Sequence, residues 1–198
     1  MFMKKSDRTR QMIIERSAPI FNSKGVAGTS ISDIMEATQL AKGGVYGNFS
    51  TKDDILMATF DHIADTLKEK LAGVTAPEPT ISGKFEALFK FYSHYPLNPF
   101  VAGGCPILNF GVDADDTHPQ LRKRVAKLIA YFQERIEQLV NAGIKRGEFS
   151  ADWDAERFAV KMFTMLEGAT LVSRINNNNK HMKIVVSMLR EEMVQHTL

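Results

Sequence analysis

Residues 29–55, TSISDIMEATQLAKGGVYGNFSTKDDI, decide how the chain is read. Thr29 or Ser30 offers a side-chain oxygen to the first turn of a helix, and Ile31, Ile34, Met35 and Thr38 then follow helical spacing. Gln39, Leu40 and Ala41 leave room only for a sharp corner. A second short helix follows from Lys42 to Phe49, with Val45 and Phe49 four residues apart. Ser50 opens an S-x-x-D capping signal that closes on Asp53 and predicts a longer helix. Helix, tight corner and helix make the geometry of a helix-turn-helix, whose second helix enters the major groove of DNA. That groove is about 12 Å wide and admits a single helix. Gly43, Gly44 and Gly47 each weaken the second helix by up to ~1 kcal/mol relative to alanine. The loss makes sense if the backbone must approach phosphates closely. Lys42, Tyr46 and Lys52 then supply donors for phosphate oxygens. The same pattern also fits a loop with glycine hinges between two structural helices, so spacing alone leaves both readings open.

Upstream, residues 8–24 predict a first helix with Ile13, Ile14, Ile20 and Phe21 on its apolar side, Pro19 inside it and Gly25 as C-cap. Downstream, Leu56, Phe60, Ile63, Leu67 and Leu71 share one face of a helix that ends near Gly73, because Pro77 and Pro79 forbid its continuation. The rest also reads as helix. Phe85, Leu88, Phe89 and Tyr92 form an aromatic stripe, and NPFVAGG is an irregular stretch before a short helix. A long helix carries Leu121, Val125, Leu128, Phe132, Ile136 and Leu139 and ends at Gly143 or Gly147. Residues 154–175 are apolar on two sides, Asn176–Asn179 make a turn, and a last helix carries Met182, Val185, Met188, Leu189 and Met193. No alternation is long enough for a sheet. The expectation is an all-α chain with a head over residues 1–50 and a body over 51–198, residues 51–73 forming the linking helix.

The composition, 44% hydrophobic and 24% charged over 198 residues, excludes a disordered chain. No apolar run approaches the ~20 residues that span a bilayer. The start, MFMKKSDRTRQ, has no apolar stretch behind its basic residues, so neither a signal peptide nor a membrane partner is expected. A lone Cys105 excludes an internal disulfide and suits the cytoplasm. Charge is uneven. Residues 1–52 hold eight lysines and arginines against four acids, and the remainder holds 17 against 19. A basic head suits an anionic polymer, although a solvated basic face has the same signature. No nucleophile with a base and an orienting group is found. Ser93 beside His94 is an adjacency and not a triad. Neither catalysis nor a cofactor nor a metal is expected. Asp113, Asp115, Asp116 and His118 suit a cation in principle, but helix capping before Pro119 is the simpler role.

The motifs I-I-x(6)-F-x-x-x-G from Ile13, T-S-I-S-D-I, K-G-G-V-Y-x-x-F and S-T-K-D-D-I-L together resemble the TetR family of transcriptional regulators. The resemblance implies a dimer with a three-helix DNA-binding head, a linking helix and a ligand-sensing body. It places Thr29 and Ser30 at the start of the positioning helix. Lys42, Gly43, Gly44, Tyr46, Gly47 and Asn48 fall on the recognition helix, and Lys52 resembles a phosphate-contacting lysine. Ala41 departs from the serine cap of many members, and Gly47 replaces a larger residue. GGCPILNFGVDADDTHPQLR, AGIKRGEF and LEGATLV resemble the regulatory domain of a TetR subgroup. Phe85, Phe89, Tyr92, Leu108, Phe110, Phe132, Met162, Phe163 and Leu166 are candidates for an apolar ligand pocket, although each taken singly fits a plain core better. Cys105 follows two glycines near a helix start; some relatives sense oxidants or electrophiles with such a cysteine, and a small buried hydrophobe is the plainer role. The implied partners are a palindromic double-stranded operator, a small apolar or aromatic effector and a second copy joined through the last two helices, where Gly168 and Ala169 permit close approach. A helical ligand-binding protein or enzyme without specific DNA binding is the alternative.

Overall fold

The computed structural model describes residues 5–198, and the first four residues of the basic start lie outside them. The described residues form nine helices: α1 Lys5–Gly28, α2 Ile31–Thr38, α3 Lys42–Tyr46, α4 Lys52–Thr75, α5 Ile81–His94, α6 Pro106–Ala114, α7 Pro119–Arg146, α8 Ala155–Ile175 and α9 Lys180–Gln195. Among these residues the only extended pairing is an isolated bridge between Phe149 and Thr197. None of the described helices is long and apolar enough to cross a membrane. Two compact units result, one of residues up to Leu67 with Val101–Lys123, the other of Lys68–Phe100 with Arg124–Leu198. The expected division at residue 50 is therefore not where packing separates the chain. α4 and α7 each contribute to both units, and the chain returns to the first unit at Val101.

In the first unit, Ile13, Phe21, Ile34, Val45, Phe49, Leu56 and Phe60 are buried. α1 runs past the expected end at residue 24, yet its geometry breaks at Gly25, with φ 73° and ψ 174°, before a last turn to Gly28. Only glycine takes that φ without strain. A Cβ there would also stand 2.8 Å from the Asp113 carboxylate, which accepts the Val26 N–H at 2.8 Å. Asp113 is thus committed to α1 and does not cap α7. His118 Nδ1 meets the Leu121 N–H at 3.3 Å instead, in the first turn of α7. The linking helix is capped one residue later than Ser50. Thr51 Oγ1 accepts the Asp54 N–H at 3.0 Å, and the Asp54 carboxylate accepts the Thr51 N–H at 2.9 Å. Asp53 is left to face His118 at 3.6 Å.

α6 and its leading loop are latched to α1 by two asparagines. The buried Asn22 amide donates to the carbonyls of Ala102 at 2.8 Å and Gly104 at 3.1 Å. Asn109 Nδ2 donates to the backbone oxygen of Asn22 at 2.9 Å and to that of Gly103 at 3.0 Å. Gly103, at φ 104°, comes so close that a Cβ would lie 2.5 Å from the Asn22 oxygen. This fit brings the GGC segment back to the first unit.

The second unit is organised by aromatic packing. Phe85 lies with its ring centroid 6.1 Å from Phe149 and 5.8 Å from Phe158, while Trp153 is 4.8 Å from Phe149. Glu148, in the loop after α7, accepts the Ile81 and Ser82 N–H groups at 2.7 and 3.0 Å and caps α5 together with Thr80. α9 packs on α5 and α8. Arg190 grips Glu86 through two N–H groups, Nε to Oε1 at 2.8 Å and Nη2 to Oε2 at 2.9 Å.

Replacing Asn22 with alanine leaves two loop carbonyls without their donor. That should cost about 1–3 kcal/mol in urea unfolding, the range for an unsatisfied buried group. A loss below about 0.5 kcal/mol would show that the latch is dispensable for folding.

Candidate nucleic-acid interface and ligand cavity

α2 starts from a complete capping box. Ser30 Oγ accepts the Asp33 N–H at 3.1 Å, and the Asp33 carboxylate accepts the Ser30 N–H at 2.8 Å. Lys24 lies 2.5 Å from the same carboxylate. The Lys24 ammonium, then the Ser30 backbone and hydroxyl, hold the Asp33 carboxyl well below the usual carboxylate range. Gln39 takes φ 58° and makes the corner. α3 then begins at Lys42 without a side-chain cap, because Ala41 has no oxygen to offer. It is shorter than the expected Lys42–Phe49, since Gly47 already caps it.

The three glycines have different surroundings. A Cβ on Gly43 would meet nothing within 4 Å, one on Gly44 would touch Leu40 at 3.4 Å, and one on Gly47 would sit 3.0 Å from the Gly43 carbonyl. Packing inside the protein therefore gives no reason for glycine at position 43. Lys42 and Tyr46 flank it on the exposed side, with the Lys42 ammonium 5.9 Å from the Tyr46 ring.

Other expected contact residues are committed inward. Thr29 is buried and its hydroxyl donates to the Gly25 carbonyl at 2.7 Å, so its side chain does not face solvent at the start of α2. Lys52 donates to the carbonyls of Val26 and Thr29 at 2.9 and 3.0 Å. Two of its three protons thus tie α4 to the last turn of α1 and to Thr29 just beyond it. Asn48 Nδ2 donates to the Gly44 carbonyl at 2.8 Å. Two arginines that sequence reasoning passed over support this surface. Arg10 donates to the Asn48 carbonyl at 2.7 Å with its guanidinium 3.9 Å over Phe49, and Arg16 donates to the Ala37 carbonyl at 2.9 Å. Their only signal in the sequence was the basic character of the first helix.

The second unit contains a cavity walled by α4, α5, α7 and α8, with about 80 Å³ open to the centre of a water-sized sphere. Tyr92, Phe132, Met162, Phe163 and Leu166 line it, as does Leu88. The remaining expected lining residues lie elsewhere. Phe85 and Phe89 turn into the aromatic core, only 6.2 Å apart. Phe110 packs edge-on against Phe60 at 5.4 Å in the first unit, and Leu108 lies on the same helix. Cys105, buried, is the N-cap position of α6. Lys68, Tyr131, Arg135 and Glu167 join the lining without having been expected there, since a polar residue on a helix carries no mark of facing a cavity.

Residues 13–59 match the family described as bacterial regulatory proteins, tetR family, and residues 83–189 match the tetracyclin repressor-like C-terminal domain. The structure is similar to that of a TetR transcriptional regulator from Chloroflexus aurantiacus J-10-FL, with 36% identity, a TM-score of 0.93 and 98% of each chain covered. It is equally similar to a TetR-family regulator from Cytophaga hutchinsonii, with 37% identity, a TM-score of 0.92 and coverage of 100% of this chain and 99% of that one. Its sequence is 25% identical to the HTH-type transcriptional regulator TtgR of Pseudomonas putida, over 82% of this chain and 79% of the relative.

A carboxyl held below its ordinary range stabilises the fold above the unfolded value, about 3.9 for aspartate, and that contribution drains away as pH falls toward the folded value. The stability gap between the protein and Asp33→Asn should therefore be constant from about pH 7 to about pH 5 and close below about pH 4. Urea melts followed by circular dichroism test this. A gap that stays at its full size down to about pH 2 would remove the Asp33 charge from the cap.

Proposed function

This chain belongs to the TetR family of bacterial transcriptional regulators, and from that premise we propose that it is a repressor: a cytoplasmic homodimer that binds a palindromic operator and releases it when a small apolar or aromatic molecule enters the body. As a member of a family of regulators it is not an enzyme, which removes the alternative of a helical catalyst.

The observation that carries the DNA reading is the exposed Lys42–Gly43–Tyr46 face of α3, where glycine has open space in front of it. A missing side chain there lets the backbone approach phosphates, while Lys42 and Tyr46 reach across the groove. Backbone N–H groups in the first turn of α2 add donors for a second phosphate, while both donors of Ser30 are taken by Asp33. Thr29, Lys52 and Asn48 act in this reading mainly as supports, Lys52 retaining one ammonium proton for a phosphate. Two such heads address successive major grooves about 34–36 Å apart.

Support for the dimer comes from α8 and α9. Val160, Leu171 and Ile175 on α8 and Ile184 and Met188 on α9 are exposed, Ile175 at 79%. At Gly168 a Cβ would meet nothing within 4 Å. Ala169, in contrast, is buried within the chain and contributes nothing to an approach from outside. Burying the exposed part of these side chains in a four-helix bundle with a second copy gives each on the order of 1 kcal/mol. The body cavity supplies the place for an effector. α4 carries Lys52 at its start and Lys68, Leu71 and Thr75 on the cavity wall, so a ligand that prefers one placement of α4 biases the head.

Lys42→Ala with Tyr46→Ala should weaken operator binding by at least tenfold in a fluorescence anisotropy titration while leaving the thermal midpoint unchanged. Equal affinity would show that α3 does not read the operator. Leu171→Glu should yield a folded monomer in sedimentation velocity that no longer binds the operator, because two half-sites need two heads. A stable dimer would place the interface elsewhere.

A further inference from the structure

Two arginines of α1 each hold the end of one helix of the helix-turn-helix. Arg16 donates from Nη1 to the Ala37 carbonyl at 2.9 Å, in the last turn of α2. Arg10 donates from Nη1 to the Asn48 carbonyl at 2.7 Å, just beyond the end of α3. Its guanidinium carbon also lies 3.9 Å from the centroid of the Phe49 ring. Carbonyls at a helix C-terminus lack partners within the helix, so each arginine meets a group that needs a donor from elsewhere.

Other bonds at these two helices are local. Thr38 Oγ1 donates to the Ile34 carbonyl at 2.6 Å, Gln39 Nε2 to the Glu36 carbonyl at 2.6 Å and Asn48 Nδ2 to the Gly44 carbonyl at 2.8 Å. Such bonds shape each helix and leave open where it stands against α1. Burial of Ile34, Val45 and Phe49 holds the helices to the core, but the hydrophobic effect has no direction. A hydrogen bond does, and the two from the arginines reach across 38 and 21 residues of chain.

This matters differently for the two kinds of DNA contact. Phosphate attraction is electrostatic, independent of sequence and tolerant of small displacements. Hydrogen bonds to base edges require a side chain to stand within about 0.5 Å of its place. If α3 pivoted on the buried Val45, it would keep the first kind and lose the second. We propose that Arg10 and Arg16 are positioning residues for operator recognition. They set the pose of α2 and α3, and so the discrimination between operator and other DNA, without touching DNA themselves. The inference rests on the DNA reading above.

The test uses the full-length protein, a palindromic duplex that it selects from a randomised library, and a shuffled duplex of the same base composition. Arg10→Met and Arg16→Met keep an apolar stem and remove the donors. Both positions are exposed, so the variants should fold, as a thermal melt will report. Each should weaken the selected duplex about tenfold or more in an anisotropy titration, and the shuffled duplex less than about threefold. The salt dependence of affinity should not change, since no phosphate contact is lost. Added to Lys42→Ala with Tyr46→Ala, Arg10→Met should cost less than about threefold more, because no reading face is left to position. Equal losses on both duplexes, with a salt slope lower by about one, would make the arginines phosphate contacts and overturn the proposal. Unchanged affinity for the selected duplex would overturn it too, and a lowered thermal midpoint would then leave them a structural role alone. If no duplex is selected, or if Lys42→Ala with Tyr46→Ala binds it as before, the DNA reading itself falls and this inference with it. If that pair weakens binding and the arginine variants do not, only this inference falls.

Discussion

A helix of five residues with glycine at two of them cannot hold itself together, since isolated helices below about 12–15 residues are marginal in water. α3 is such a helix, and it also lacks a side-chain cap at Ala41. Burial keeps it in place. Val45 is 0% exposed and Phe49, just beyond the helix, 3%. Taking two such side chains out of water is worth about 3–6 kcal/mol, enough to offset the ~2 kcal/mol lost to two glycines together with the ~1 kcal/mol of a missing cap. Arg10 then secures the Asn48 carbonyl that follows, and Asn48 secures the Gly44 carbonyl behind it. The exposed face of Lys42, Gly43 and Tyr46 is therefore presented by what is buried behind it. Changes on that face can alter recognition with little effect on folding.

The same division between a committed face and an available one governs the body. α5 carries apolar residues at 85, 88, 89 and 92, which a helical wheel places in one broad stripe. The structure splits that stripe. Phe85 and Phe89, four residues apart, enter the aromatic core with Phe149, Trp153 and Phe158, while Leu88 and Tyr92, also four apart, line the cavity. The cavity coexists with a well-packed core because the two occupy different sectors of one helix.

Motif-bearing elements were legible at the level of the residue. The cap at Thr29 or Ser30, the corner of Gln39, Leu40 and Ala41 and the glycines of the second helix are local matters, decided by side-chain oxygens and φ preferences within a few residues. Where two local signals competed, the sequence could not arbitrate. Ser50 and Thr51 both precede an aspartate at the third position, and the cap formed at Thr51. Asp113, read as a cap for the helix ahead of it, was drawn back across the chain to Val26 by the break at Gly25.

By itself the sequence determined that this chain is helical throughout, where its helices begin and end to within a few residues, and that a helix-turn-helix lies near its start. These follow from periodicity, capping chemistry and proline, all of them short-range. Only the tertiary structure decided that residues 101–123 belong with the head, that Thr29 and Lys52 hold the chain together more than they face outward, and which residues of α4, α5, α7 and α8 border the cavity. Apart from the Thr29 bond to Gly25, these depend on groups tens of residues apart along the chain, such as Asn22 with Gly104 or Lys52 with Val26. Their proximity follows from burying a shared apolar surface, a quantity that no local pattern contains.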